Sequence, residues 1–570
     1  MSPGAARLRR AAPTILAAAL AAAYVIWSPA SLDLAAHLFR VKLFRAEGFG
    51  LWDNWWYGGH HTLGYSVLFP AVAAALGPQL AAGLAAVGAT AAFEILTRER
   101  FGARAWMGAL WFAVGAAAEL FSGRLTFAFG LLPALAAVLA LARGWTALAG
   151  LLGVVTALVS PVAALFTALA GLAAAVGGLA RGRPGRTQRR LAQARGRPGR
   201  RQRRLALARG RPGRTQRRSA QARGRPGRTH GIGAGIATAV ASLAPIVILA
   251  VAFPEGGVEP FAFTALWPIL AIAVLMLVVM PREFVTLRAG VILYAVGCVL
   301  AYAIPTAVGS NAVRLGTLVA GPVAALVLWD RRPALLGLVL IPLLYIQTQA
   351  AFRDVSQASG PATTAGYYRP LLGFLSREAT PPNPPFRTEI PFTAEHWEAF
   401  EVAPRFALAR GWERQLDIED NPLFYDGRLS PARYEAWLYR VAVRFVAVPD
   451  TTLDYSARAE AALIDRGLPY LRLVWRSRHW RVYAVSDPTP IVTGAALRAL
   501  GPDSLTIAAS RPTTVEVRVR FTPYWALSGG AGCVAPDGEF TQVTLRHAGT
   551  VRLVIRFALD RIGARSPRCT

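Results

Sequence analysis

The sequence predicts a polytopic α-helical membrane protein of about eleven spans, with an extracytoplasmic C-terminal portion that is α/β first and β-sandwich-like after. Three observations carry this. The 570 residues are 54% hydrophobic and only 16% charged, where a soluble domain runs about 45–50% apolar and about 25% charged. Apolar windows of membrane-spanning length recur through the first 350 residues. The acids are segregated: 22 of the 32 lie after residue 352. The net charge of +30 is also localised, because residues 181–228 hold 19 Arg and no acid. A disordered chain, a small disulfide scaffold and a globally basic nucleic-acid binder are therefore excluded.

The spans follow from the requirement for roughly 17–25 apolar residues to cross about 30 Å of hydrocarbon. Candidate windows lie at about 12–30, 66–96, 105–121, 125–142, 145–160, 161–180, 231–253, 262–280, 286–306, 312–329 and 333–350. The first reads as a retained helix, since no small-residue cleavage site stands out and further spans follow. Brief polar breaks, Ser122-Gly123-Arg124 and Arg143-Gly144, separate the short members. Arg7, Arg9 and Arg10 place the N-terminus in the cytoplasm. Alternation then puts Arg98, Arg100, Arg104, Arg143, Arg282, Arg288, Arg331 and Arg332 inside, and leaves the 31–65 loop, Arg124, Glu255, Glu259, Asn311, Arg314 and everything after 350 outside. The domains expected are a membrane domain over 1–352, an Arg-rich disordered cytoplasmic insert over 181–230, an outer α/β domain over 353–487 and a β-sandwich-like module over 488–570.

The insert repeats every 14 residues around RGRPGR. Its glycines, prolines and like charges argue against packing. It reads as a tandem expansion tolerated in a cytoplasmic loop, with attachment to anionic lipid as its functional alternative; no specific nucleic acid is implied. A single lysine, Lys42, among 62 basic residues suggests a GC-rich, actinobacterial-like genome.

The densest polar chemistry is in the first outer loop. Asp33, His37 and Arg40 fall at i, i+4 and i+7, on one face of a helix. Trp52, Trp55, Trp56 and Tyr57 follow, with rings suited to the membrane interface. Only 10 acids occur before residue 353, so an acid at a span end such as Asp33 is a functional candidate. His37, His60 and His61 with Asp53 are the only candidates for a divalent cation; adjacent histidines point in different directions, and no metal site is assigned.

In the outer portion, helices are expected at 432–440 and 456–466 and strands at 443–448, 470–475 and 480–485. Val515, Val517, Val519 and Phe521 alternate with Glu516, Arg518 and Arg520 as in a half-buried strand, and 540–547 and 550–558 repeat the pattern. Tyr524 and Trp525 are either core or a carbohydrate-stacking platform. Cys533 and Cys569 can pair if this segment lies outside, while Cys298 reads as a buried thiol.

Asp33-x3-His37, then Trp52-Asp53-Asn54-Trp55-Trp56-Tyr57-Gly58-Gly59 and Leu63-Gly64-Tyr65 running into Pro70, resembles the first outer loop of GT-C-type membrane glycosyltransferases. The similarity is to the branch carrying a 6-pyruvoyl-tetrahydropterin-synthase-related membrane domain, with Ser122-Gly123-Arg124-x2-Phe127-x2-Gly130 and Gly309-Ser310-Asn311-x2-Arg314 as further matching segments. It implies an inverting transfer of sugar from a polyprenyl-phosphate-linked donor to a cell-envelope glycan or glycolipid at the outer face of a bacterial plasma membrane. No cofactor is implied with certainty. In that frame Asp33 is the candidate base, with Asp53 and His37 as further catalytic candidates. Arg124, Arg314 and Arg40 are candidates for the donor phosphate, and Trp52, Trp55 and Asn311 for substrate contact. Two other functions remain open: a transporter or lipid flippase, and a non-catalytic envelope assembly or glycan-binding protein.

Overall fold

The computed structural model describes residues 3–181 and 228–570; the Arg-rich repeat therefore lies outside the described residues. Helix α1 (Pro3–Trp27) leads into α2 (Leu32–Glu47), an amphipathic helix of the first loop, and then a two-stranded ribbon of β1 (Trp52–Asp53) and β2 (His60–His61). The chain re-enters through α3 (Phe69–Leu76) and α4 (Pro78–Phe101). The overlong 66–96 window is thus divided: Gly77, at φ +84°, ends one helix and Pro78 begins the next.

The bundle continues with α5 (Ala105–Phe121), α6 (Leu125–Ala142), α7 (Thr146–Val159), α8 (Pro161–Arg181), α9 (Arg228–Ala252), α10 (Phe263–Val279), α11 (Val285–Ala303), α12 (Arg314–Leu328) and α13 (Pro333–Gln357). Every expected window falls on helix. Eight helical stretches are long and apolar enough to cross a membrane, with Pro78–Phe121 counting as one 44-residue stretch. Helices α7 and α10 are apolar but shorter; at 1.5 Å per residue, α7 reaches only about 21 Å. The chain is accordingly a multi-pass helical membrane-type protein with eight candidate spans among the described residues, rather than a demonstrated eleven.

Abundant small residues let these helices approach closely, as apolar helices in lipid require. At the α8–α9 contact, a Cβ on Gly171 would lie 2.6 Å from the Gly235 carbonyl oxygen. Polar groups inside the bundle are spent on each other: Trp111 Nε1 donates to Gln347 Oε1 at 2.8 Å, and Gln347 Nε2 donates to the Leu318 carbonyl at 3.0 Å.

The C-terminal region is strand-rich. A five-stranded mixed sheet has the order β4 (Ala407–Leu408), β3 (Arg387–Glu389), β5 (Val443–Pro449), β7 (Trp480–Val485), β6 (Leu471–Arg476). Helices α14 (Ala365–Glu378), α15 (Glu398–Glu401), α16 (Arg414–Asp420), α17 (Pro431–Arg440) and α18 (Arg458–Asp465) accompany it. Beyond it, a four-stranded and a five-stranded antiparallel sheet enclose a core that includes Val515, Val517, Val519, Val543 and Leu553. The alternation seen over 515–520 is thus the inward face of one strand, Thr513–Arg520.

Tyr524 and Trp525 are fully buried, which removes the stacking-platform reading. Tyr524 donates its hydroxyl to the Ala252 carbonyl and packs on Phe253, so it pins this module to the end of α9. Cys533 and Cys569 face each other on paired strands and form a disulfide. Cys298 is a buried free thiol.

Candidate functional site

The site is built where the first outer loop meets the α5–α6 turn. Ser31 occupies the N-cap position of α2, and Asp33 lies in its first turn, where the helix dipole favours a negative charge. The α5–α6 turn is pressed onto this helix start. Gly123 adopts φ +75°, and a Cβ there would overlap the Ser31 Oγ. Glycine at 123 is what allows the turn to bring Arg124 beside Asp33. Arg124 is ion-paired with Glu119, at 3.6 Å. A third segment, the 3-10 turn Gly309–Val313 opening into α12, delivers Arg314.

Asp33 is half-buried, and its electrostatics show that these pieces converge. Burial pushes its carboxyl up from 3.8 to about 6, opposed by the positive charges of Arg314 and Arg124 and reinforced by the negative charges of Asp354 and Glu259. Burial alone would lower the Arg124 guanidinium, but Glu119, Asp33 and Asp354 outweigh it and hold Arg124 above its ordinary value. Tyr65 lies in the same field: burial and Asp33 raise its hydroxyl to about 12, so it stays a neutral donor. Arg314 also lies over the Phe127 ring, 5.6 Å from its centroid.

The predicted residues divide into two groups. Asp33, Arg124 and Arg314 come together, with Asn311 one turn away and half-buried. His37 lies one turn along α2 from Asp33, against Phe69 and Tyr65 at 5.4 and 5.9 Å between ring centroids. Burial, then the charge of Arg40, drives its imidazole down to about 3, so at neutral pH it is uncharged.

The other candidates are engaged within the loop itself or at its contact with the C-terminal region. Arg40 is ion-paired to Glu413, donates to the Thr62 carbonyl at 3.0 Å and covers the Tyr65 ring at 4.5 Å. Asp53 is fully buried, 3.3 Å from His60 Nε2, and accepts from the Trp55 backbone N–H at 3.0 Å. Its negative charge raises His60 to about 9 against the opposing effect of burial. Trp52 packs edge-on against Trp525 inside the sandwich core. A Cβ on Gly59 would collide with the Trp52 indole, which explains the Gly58-Gly59 pair at this bend. Trp55 is half-buried against Phe39, and its carbonyl accepts from the Leu408 N–H at 2.8 Å.

The residues 397–414 form a roof over the loop. Trp397 Nε1 donates to the Ala30 carbonyl at 3.2 Å and Trp412 Nε1 to the Leu32 carbonyl at 3.0 Å. Both acceptors lie within three residues before Asp33, so the roof fixes the start of α2. The roof is itself anchored by Arg410, which holds Asp417 through Nη2–Oδ2 at 2.5 Å and Glu460 at 3.3 Å, between the rings of Phe392 and Phe424.

Three site members escaped the sequence reading as site residues: Glu259, Asp354 and Tyr65. Glu259 accepts from Ser310 Oγ at 2.9 Å and is raised by burial against the pull of Ser310 and Arg314. Its signal was available, since it is one of the few acids of the membrane portion. Asp354 had none, because it sits at the end of a helix where polar composition resumes. Among the described residues, no group of three or more His, Cys, Asp or Glu is arranged to hold a metal ion.

No family model matches the chain, and no curated protein matches it. Among solved structures, it is similar to ArnT from Cupriavidus metallidurans bound to undecaprenyl phosphate, with 12% identity over 85% of this chain and 98% of that one, at a TM-score of 0.37. The apo state of the same protein aligns with 12% identity over 80% of this chain and 93% of that one, at a TM-score of 0.35.

Proposed function

We propose that this chain is an integral-membrane, inverting glycosyltransferase that takes a sugar from a polyprenyl-phosphate-linked donor and places it on a cell-envelope glycan or glycolipid. The observation that carries the proposal is Asp33, a half-buried carboxyl raised to about 6 by burial within the fields of Arg314 and Arg124. A base with that proton affinity is ionised at neutral pH yet basic enough to accept a proton from an attacking hydroxyl. The acceptor oxygen bonds to the anomeric carbon as its proton passes to Asp33. The bond from that carbon to the donor phosphate oxygen breaks, and the electron pair leaves on the lipid phosphate. Arg124 and Arg314 stabilise that charge, as planar guanidinium forks do for phosphate.

The reading puts the site at the outer face of the bacterial plasma membrane, with the N-terminus in the cytoplasm. The Cys533–Cys569 disulfide supports an oxidising location for the C-terminal region. The arginines of the opposite bundle end support a cytoplasmic one there.

The test is sugar transfer by the full chain in lipid nanodiscs supplied with polyprenyl-phosphate-linked sugars. Wild type is expected to turn over and Asp33→Asn to lose at least a hundredfold. Donor bound by wild type without turnover, and equally by Asp33→Asn, would instead favour a non-catalytic assembly protein.

A further inference from the structure

At the bundle end opposite the C-terminal region, α8 and α11 leave between them a cleft of about 320 Å³, lined by Val176, Arg282, Val285, Arg288, Ala289, Ile292 and Leu293. Its position follows from two facts. Val176 is near the C-terminal end of α8, and Glu283 pairs at 3.0 Å with Arg331, two residues before α13 begins. The far end of α13 runs into the C-terminal region, about 37 Å away at 1.5 Å per residue.

The walls of the cleft are apolar and open toward lipid: Val176 is 41% exposed and Ile292 50%. Its rim carries two arginines with spare donors. Arg288 spends Nη1 on the carbonyls of Leu277 and Met280, and neither its Nε nor its Nη2 meets an acceptor among the described residues. Arg282 is exposed and has no ion pair among the described residues. The nearest acid in sequence, Glu283, is engaged by Arg331. Apolar walls under an unneutralised pair of guanidiniums match one kind of occupant, an acyl chain joined to an anionic head group.

We infer that this cleft is a binding site for an anionic glycerophospholipid of that leaflet, its phosphate between Arg282 and Arg288 and an acyl chain along Val176, Ala289, Ile292 and Leu293. The positive end of the α11 dipole opens into the same cleft and adds to the attraction.

The experiment is native mass spectrometry of the full chain from detergent, with phosphatidylglycerol and phosphatidylcholine supplied in turn. Wild type is expected to retain phosphatidylglycerol preferentially. Arg282→Gln should weaken that retention about fivefold, from a contribution of about 1 kcal/mol per Arg near a lipid surface. Ile292→Trp, which fills the apolar path and leaves both charges in place, should weaken it as well. Arg332→Gln removes an exposed charge at the same end outside the cleft and should match wild type. Equal retention of the two lipids, an unchanged Arg282→Gln, or an equal loss in Arg332→Gln would overturn the inference, as would a dimer of the chain found in place of bound lipid.

Discussion

A group placed for chemistry and a group placed for stability respond oppositely to removal of their charge, and Asp33 distinguishes the two. Its carboxyl is raised from 3.8 to about 6, first by burial. A carboxyl whose proton affinity is higher in the folded chain costs stability wherever it is ionised. The cost is absent below about pH 4, grows as pH rises toward 6 and is complete above it. At 1.36 kcal/mol per tenfold change in proton affinity, the cost at neutral pH is about 3 kcal/mol. Asp33→Asn keeps the shape and removes the charge, so it is expected to stabilise the fold at pH 7.5, and to give no gain at pH 4. The attraction of Arg314 and Arg124 for the carboxylate is already contained in that net rise, because burial outweighs it. The assay is thermal unfolding in nanodiscs at both pH values. A destabilised Asp33→Asn at pH 7.5 would mean that Asp33 is a structural counter-ion for the two arginines, and the reasoning would fail.

Other consequences follow from the same contacts. Gly123→Ala forces a side chain into positive φ and onto Ser31. It should cost about 1–2 kcal/mol of stability and lower turnover more than tenfold by displacing Arg124; unchanged turnover would separate the turn from the site. Arg410→Met leaves Asp417 and Glu460 buried without their counter-charge and should destabilise the C-terminal region by about 3–5 kcal/mol, measured by thermal unfolding. A loss below 1 kcal/mol would show that the cluster does not anchor the roof. Reducing the disulfide, which spans 36 residues, should remove up to about 4 kcal/mol from the sandwich, read as a lower melting temperature in reductant that Cys569→Ser reproduces.

The parts of this architecture visible in the sequence were those with a local signal. Apolar length marked the helices, and period-two alternation marked the strand over 513–520. Charge scarcity marked Asp33, Arg124 and Arg314, which do come together although they are separated by up to 281 positions in sequence. What stayed hidden depends on what packs against what. Trp52, Trp55 and Arg40 look like membrane-interface or substrate groups until the residues 397–414 and the sandwich are laid over them. Asp53 looks like a second base until His60 faces it across a two-stranded ribbon. The same composition that suggests an exposed aromatic platform at Tyr524 and Trp525 serves equally well for a buried joint, and only the partner surface on α9 decides between them.

The most direct measurement is the pH dependence of kcat/KM for sugar transfer, which reports the ionisation of groups essential in the unliganded protein. With Asp33 as base, activity rises with pH through a single ionisation near 6 and then levels off. Arg314→Gln removes a charge that lowers the Asp33 carboxyl, so the same rise moves to higher pH. A flat profile between pH 5 and 8, or a rise that Arg314→Gln leaves in place, would contradict a base at Asp33 in the fields of Arg124 and Arg314.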